Sequence, residues 1–306
     1  MNEAPRLLFI TLSNIGDAVM TTPVLATLHR LFPTAKIDIV ADARSAALFE
    51  PCPFRGDILL KNKNEGLRGI VALVRKLRQR RYAAIVDLRT DGLSWLLCAD
   101  QRYTKRHAGK PAGHAVERAY AVISTLTHDS PPPTQLWLRE RDRSAARARA
   151  DTLPPGKWLA IAPGANWQPK TWPIEYFQEL LPRLKYHFNG LILVGSAQDK
   201  SLCLALEKTS PVPAINAAGE TNLLEAAALI EMATLFIGND SGLGHIAAAV
   251  GTPTLTLFGP GDSARYHPWG VNVRWLVAED KNIASLTPAR VAAEAEDMLV
   301  ALKRRE

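Results

Sequence analysis

The sequence predicts two consecutive doubly wound α/β domains of the Rossmann type. Three observations carry that expectation. Short apolar runs alternate with helix-length amphipathic segments, the two halves follow the same scheme, and proline-rich segments interrupt the chain near its middle. A chain of 306 residues, 47% hydrophobic and 22% charged, has the size and composition of a two-domain globular protein.

In the first half, Leu7-Leu8-Phe9-Ile10 reads as a buried strand. Thr21-Thr22-Pro23 then opens a helix whose apolar positions are Val24, Leu25, Leu28 and Leu31, with proline where the first amides lack helical partners. Further strands are expected at Lys36–Val40, Asp57–Leu60 and Ala83–Leu88, and a basic amphipathic helix runs from Gly66 to about Gln79. In the second half, Trp158–Ala162, Leu191–Val194, Leu235–Ile237 and Thr254–Phe258 read as strands. Helices are expected at Ile174–Tyr186, Asp199–Lys208, Leu223–Met232 and Gly242–Val250. Ser130-Pro131-Pro132-Pro133 and Pro154-Pro155 bracket a strand and an Arg/Ala-rich helix. The domain boundary is placed at the second pair, giving domains 1–153 and 154–306, with a last helix, Thr287 to about Arg304, that can pack on either. Ligands of such sheets sit at the carboxyl ends of the strands, so the active site is expected in a cleft between the domains.

Composition narrows the function classes. No apolar run reaches the roughly 18–20 residues of a spanning helix, and the first residues lack a signal-peptide pattern. Cys52, Cys98 and Cys203 are odd in number and widely spaced, which suits a reducing compartment; the expected location is cytoplasmic. The net charge of +7 is unevenly spread: residues 1–153 carry +9 and residues 154–306 carry −2. The excess lies between Lys61 and Arg118, with 14 basic and 5 acidic residues, so an anionic partner is expected at the first domain. A solvated helix face is the plainer reading of the same charges.

Three segments carry chemistry. Ser13-Asn14-Ile15-Gly16-Asp17 follows the first strand, where Gly16 permits an unusual backbone angle or a close ligand approach and Asp17 enters a helix start. Asp17 serves either as a cleft carboxylate or only as a helix cap. Pro163-Gly164-Ala165-Asn166-Trp167-Gln168-Pro169-Lys170 leads into a helix near Pro173, so helix amides, Asn166 and Lys170 can converge on an anion. Gly238-Asn239-Asp240-Ser241-Gly242-Leu243-Gly244-His245 places two glycines at another helix start, with His245 one turn in. Two such helix starts in one domain suit a diphosphate. Neither half holds a G-x-G-x-x-G fingerprint or a Walker loop, although Asp42 keeps a nicotinamide-dependent oxidoreductase reading open.

S-N-I-G-D-A-V-M-T-T-P near the start, P-G-A-N-W-Q-P-K-T-W-P at mid-chain and D-S-G-L-G-H later, in that order, resemble the bacterial ADP-heptose:lipopolysaccharide heptosyltransferases, family-nine glycosyltransferases. The resemblance covers almost the whole chain. It implies a GT-B fold, two Rossmann-like domains facing a central cleft, with the acceptor on the first domain and the nucleotide sugar on the second. It also implies an inverting, metal-independent transfer of heptose from ADP-heptose to the inner core of lipopolysaccharide, with no cofactor; a same-fold glycosyltransferase using another nucleotide sugar, or a protein or polysaccharide acceptor, is the alternative. Asp17 matches the catalytic carboxylate, Lys170 the phosphate-binding lysine, and Asn166 a polar donor contact. Asp240, Ser241, Gly242, Leu243, Gly244 and His245 match the D-x-G-x-x-H donor segment. Asp199 and Thr221 match the ribose and adenine contacts only loosely, and Ala165 replaces a hydroxyl found in some members. Lys61, Lys63 and Arg68 are then expected to face the anionic acceptor, and the same basic surface to touch the inner leaflet of the membrane. No nucleic-acid partner is expected, since a nucleic-acid module would leave both phosphate loops unexplained.

Overall fold

The computed structural model describes residues 4–61, 66–89, 92–108 and 113–304. The chain divides into two compact units, residues 1–137 and 138–306. This division falls before the Arg/Ala-rich helix rather than after it, where the Pro154-Pro155 pair suggests it.

In the first unit β1 (Arg6–Ile10), β2 (Lys36–Ala41), β3 (Arg55–Leu60), β4 (Tyr82–Asp87) and β5 (Ala99–Thr104) form a parallel sheet. Its order is β3-β2-β1-β4-β5. The helices are α1 (Ile15–Val19), α2 (Thr22–Leu31), α3 (Gly66–Leu77) and α4 (Ala115–Tyr120). Leu73 and Leu77 of α3 cover Leu8, Ile10, Val40 and Ile85 of the sheet, a face apolar enough to drive docking of a basic helix. Asp38 is fully buried within β2 and is matched by donors on four sides. Arg6 Nη1 lies at 3.0 Å, Arg80 Nη1 at 2.7 Å, Asp57 N at 2.8 Å and the Tyr82 hydroxyl at 3.3 Å. A buried carboxylate is tolerated only with such partners.

The second unit repeats the plan with one more strand. β6 (Trp158–Ala162), β7 (Gly190–Leu193), β8 (Ala214–Asn216), β9 (Leu235–Asn239), β10 (Thr254–Phe258) and β11 (Val273–Val277) are parallel, in the order β11-β10-β9-β6-β7-β8. Its helices are α5 (Glu140–Ala150), α6 (Ile174–Leu184), α7 (Lys200–Thr209), α8 (Leu223–Glu231), α9 (Gly242–Ala249), α10 (Ser263–Tyr266) and α11 (Pro288–Lys303). α5 packs on α8, where Arg143 grips Glu231 with two bonds of 2.7 and 2.8 Å. That contact is why the Arg/Ala-rich helix joins the second unit. α11 packs on α6, and Val291, Ala295, Met298 and Leu299 share a core with Phe177, Leu180 and Leu184. Trp172, wholly buried, anchors this core through its ring nitrogen to Leu286 O at 2.8 Å.

The strand expected between Pro133 and the Arg/Ala-rich helix does not form. The preceding prolines supply no amides for a ladder, and Gln135 N instead donates to Thr22 Oγ1 at 3.0 Å. Conversely β5, β8 and β11 lie at or next to sheet edges and have no clear strand signal, being polar (Ala99–Thr104), short (Ala214–Asn216) or interrupted by arginine (Val273–Val277). No helix is long and apolar enough to cross a membrane among the described residues.

Candidate active site

Parallel strands bring all their carboxyl ends to one edge of a sheet, so each unit gathers its loops there. In the second unit the loops after β6, β7, β8, β9 and β10 meet at that edge. Asn239 ends β9 and is fully buried; it donates from Nδ2 to Pro163 O at 2.7 Å and accepts at Oδ1 from Trp172 N at 3.1 Å. Both ends of the Pro163–Trp172 loop are thereby tied to β9. Within that loop a short 3-10 turn, Gln168–Lys170, aims Lys170 at the residue after Asn239: Lys170 Nζ lies 2.5 Å from Asp240 Oδ2. The structure therefore joins the second and third motifs through one ion pair. Its side chains are 27% and 9% exposed, so the carboxylate is nearly sealed while the ammonium keeps access to solvent and retains further N–H donors.

Close approach explains three glycines here. A β-carbon on Gly164 would fall 1.8 Å from Asp199 Oδ1, and one on Gly261 would fall 2.3 Å from Asp240 Oδ2. A β-carbon on Gly195 would meet Asp199 Cβ at 2.8 Å. Asp199 lies beside the Gly164 loop and is also engaged locally. Its Oδ2 accepts from Ser196 N at 2.8 Å and Ser196 Oγ at 2.7 Å, closing the turn into α7. Thr221 donates its hydroxyl to Ala217 O at 3.2 Å. Asn166 is exposed on the loop.

α9 starts behind Asp240 with Ser241 at its N-cap and no side-chain cap bond, leaving the amides of Gly242, Leu243 and Gly244 without intrahelical partners. Ser241 Oγ is buried and makes no hydrogen bond among the described residues, and Thr256 Oγ1 on β10 is in the same state. A β-carbon on Gly244 would come to 3.3 Å from that Thr256 oxygen. His245 is buried in α9, 6% exposed. Amides without intrahelical partners, a positive helix end and a lysine give this edge the chemistry with which helix starts can hold anions.

In the first unit the loop after β1 carries Asp17. Asn14, not Asp17, occupies the N-cap of α1, and Asn14 Nδ2 donates to Asp17 Oδ2 at 2.9 Å. Asp17 is thus the third helical residue, partly exposed, oriented by an asparagine rather than serving as the N-cap itself. Gly16 sits inside α1 with ordinary right-handed backbone, so it is not there for an unusual angle. A Thr11–Thr21 hydroxyl bond of 2.8 Å pins the loop to the base of α2. Arg89, which follows β4 and is absent from the sequence motifs, donates to Ser13 Oγ in the same loop. The only sequence signal for it is an arginine closing an apolar run. Asp42, at the end of β2, is engaged by Arg44 Nε at 3.1 Å. Lys61 follows β3, its amide on Ala41 O at 2.8 Å, and Arg68 is exposed on α3; Lys63 lies outside the described residues. Among the described residues no group of three or more His, Cys, Asp or Glu is placed to hold a metal ion. Burial pushes the Cys52 thiol up to about 11 and the Cys203 thiol up to about 12, so both are inert core groups.

The fold is that of known heptosyltransferase structures. Escherichia coli ADP-heptose lipopolysaccharide heptosyltransferase II superposes with a TM-score of 0.81 at 23% identity, covering 97% of this chain and 99% of that one. The E. coli heptosyltransferase WaaC with ADP gives 0.78 at 21% identity, covering 96% and 99%. These two parallel α/β sheets match the GT-B class. By sequence the chain is 28% identical to lipopolysaccharide heptosyltransferase 3 of E. coli K12 over 287 residues, 84% of this chain and 83% of that protein. It is 27% identical to lipopolysaccharide heptosyltransferase 1 of Pseudomonas aeruginosa over 291 residues, 83% and 79% of the two chains. A model of glycosyltransferase family 9 (heptosyltransferase) matches residues 70–291. That span takes in both the Lys170 loop and the Asp240–His245 segment, and the chain belongs to glycosyltransferase family 9, the heptosyltransferases.

Proposed function

We propose that this protein transfers heptose from ADP-L-glycero-D-manno-heptose to the inner core of lipopolysaccharide, with inversion and without a metal. The observation that carries the reading is the Lys170–Asp240 pair beside the uncapped start of α9. Breaking the bond between the sugar and its diphosphate leaves charge on the leaving oxygen. Lys170, His245 and the amides of Ser241 to Gly244 stabilise that charge, the role a metal plays in other sites. Asp240 holds the lysine in place; Asn166, Asp199 and Thr221 contact the nucleoside. On the first unit the Asp17 carboxylate takes the proton from the acceptor hydroxyl as its oxygen forms the new bond at the anomeric carbon, and ADP departs with the electron pair from the opposite face. Lys61, Lys63 and Arg68 recognise the acidic sugars and phosphates of the acceptor. The names of the relatives, lipopolysaccharide heptosyltransferases, support heptose as the sugar and lipopolysaccharide as the acceptor. The enzyme works in the cytoplasm at the inner face of the membrane.

Purified protein given ADP-heptose and truncated lipopolysaccharide inner-core acceptors should release ADP and add one heptose to one of them by mass, with EDTA leaving the rate unchanged. Loss of activity in EDTA, restored by Mg²⁺ or Mn²⁺, contradicts the metal-free mechanism. Hydride exchange with a nicotinamide and no transfer contradicts the whole reading.

A further inference from the structure

We infer that α3 and the adjoining Leu93–Leu96 turn form a docking surface for an anionic lipid bilayer. α3 is apolar on more of its circumference than its core contact uses. Leu73 and Leu77 are buried, whereas Leu67 is 79% exposed and Val71 62% exposed. Positions 67, 70, 71 and 74 share a stripe by helical spacing, so a second apolar face runs beside the buried one. The 3-10 turn extends it with Trp95, 54% exposed, and Leu96, 53% exposed. Between α3 and Leu96 lies an open groove of about 520 Å³. Large apolar side chains grouped in this way on a surface mark an interaction site.

The turn is braced rather than loose. Arg102 donates to Ser94 O at 3.1 Å and Ala99 O at 3.2 Å, and its guanidinium stands 5.9 Å from the Trp95 ring. Arg106 stands 5.8 Å from the same ring. Trp95 is therefore held outward with cations against its face, the arrangement of an aromatic at a membrane–water boundary.

Charge selects the occupant. On the helical projection Arg75 borders the exposed stripe, and Arg78 follows its C-terminal end; both line the groove, and among the described residues no carboxylate does. Neither forms an ion pair with a described carboxylate. Arginine stems can lie along apolar surface while their heads reach phosphates, so a helix of this kind rests in the plane of an anionic leaflet. A protein partner of ordinary surface would need acidic counterparts around an apolar knob; a leaflet supplies both components continuously. The choice of a lipid surface also rests on the proposed function, whose acceptor is carried on a lipid.

The experiment is co-sedimentation of the full chain with phosphatidylcholine vesicles, with or without phosphatidylglycerol. The wild type should bind vesicles containing phosphatidylglycerol, more weakly as salt rises, and bind pure phosphatidylcholine poorly. The pair Arg75→Glu and Arg78→Glu should weaken binding by at least about 30-fold, since each basic charge near such a surface adds about fivefold and the two glutamates add repulsion. The set Leu67→Ser, Val71→Ser and Trp95→Ser should weaken it at least about tenfold while keeping the thermal midpoint, because all three side chains are largely exposed. Both variants should transfer heptose to a deacylated acceptor at the wild-type rate. No binding by the wild type, or equal binding by either variant, overturns the inference, as does a dimer that the serine variant dissociates with vesicle binding intact. Absence of transfer to the deacylated acceptor with vesicle binding as expected removes the proposed function and leaves the docking surface standing.

Discussion

The two units share a strand order and differ in how their carboxyl edges are fixed. In the second unit the edge is locked by buried polar contacts: Asn239 ties both ends of the Lys170 loop, Asp240 holds the lysine, and Gly164 and Gly261 let carboxylates approach where a side chain would clash. In the first unit the Asp17 loop is braced by threonine hydroxyls and Asn14; Asp38 is buried within β2, and the buried Asp87 at the end of β4 accepts from Arg89 N at 2.9 Å rather than holding the Asp17 loop. On the proposed function, a small, invariant diphosphate suits the preorganised edge, and a branched, lipid-linked saccharide suits the open one with exposed cations. On that reading the same frame serves two recognition problems by changing its loops.

The largest expected effect that sharpens this contrast is at Asp17. Asp17→Asn keeps the size of the side chain and its contact with Asn14 but removes the proposed base, so turnover should fall ~10²–10⁴-fold. Turnover near that of the wild type, followed by ADP release, would remove Asp17 from the chemistry.

Asp38 asks whether the first unit is held by charge at its core. Asp38→Ala leaves Arg6 and Arg80 without their shared partner and should cost ~3–5 kcal/mol in urea unfolding. A loss below about 1 kcal/mol would mean that Arg80 is satisfied by Asp57 alone, 2.6 Å away.

How much of the molecule is legible in the sequence depends on the kind of signal. Buried central strands such as Trp158–Ala162 and Thr254–Phe258 read directly because both faces are covered and the runs are apolar throughout. Edge strands do not, since one side needs no apolar cover, and Ala99–Thr104 looks like a polar loop. The motif residues are visible as glycines and charges after strands, but their coupling is not: nothing local in the sequence says that Lys170 and Asp240, 70 positions apart, form an ion pair. Asn239 and Arg89 are hidden for the same reason, because their importance lies in what they touch. Asp199 looks like a ribose ligand by resemblance, and only geometry reveals its bonds to Ser196.

Smaller effects test the open edge. Lys61→Glu with Arg68→Glu should raise the acceptor Michaelis constant up to about tenfold and leave ADP affinity unchanged, the modest size reflecting exposed, screened charges. Equal weakening of donor and acceptor would erase the contrast between the units. Smallest is the pH effect at Asp57. The hydrogen bond from Arg80 holds its carboxyl below the ordinary carboxylate range. A depressed pKa contributes stability above the unfolded value and loses it as pH falls through the folded one, so Asp57→Asn should flatten the acid limb of unfolding. With the side chain 51% exposed, the change should stay under ~1 kcal/mol.

The central claim, that the second unit alone binds the nucleotide while the first supplies the base, is tested most directly by calorimetric titration of ADP into three proteins. Wild type and Asp17→Asn should bind ADP with the same dissociation constant. Lys170→Ala should bind about 10²-fold more weakly, because it loses a cation and leaves the Asp240 carboxylate uncompensated beside the diphosphate. Unchanged affinity in Lys170→Ala, or an equal loss in Asp17→Asn, would contradict the account.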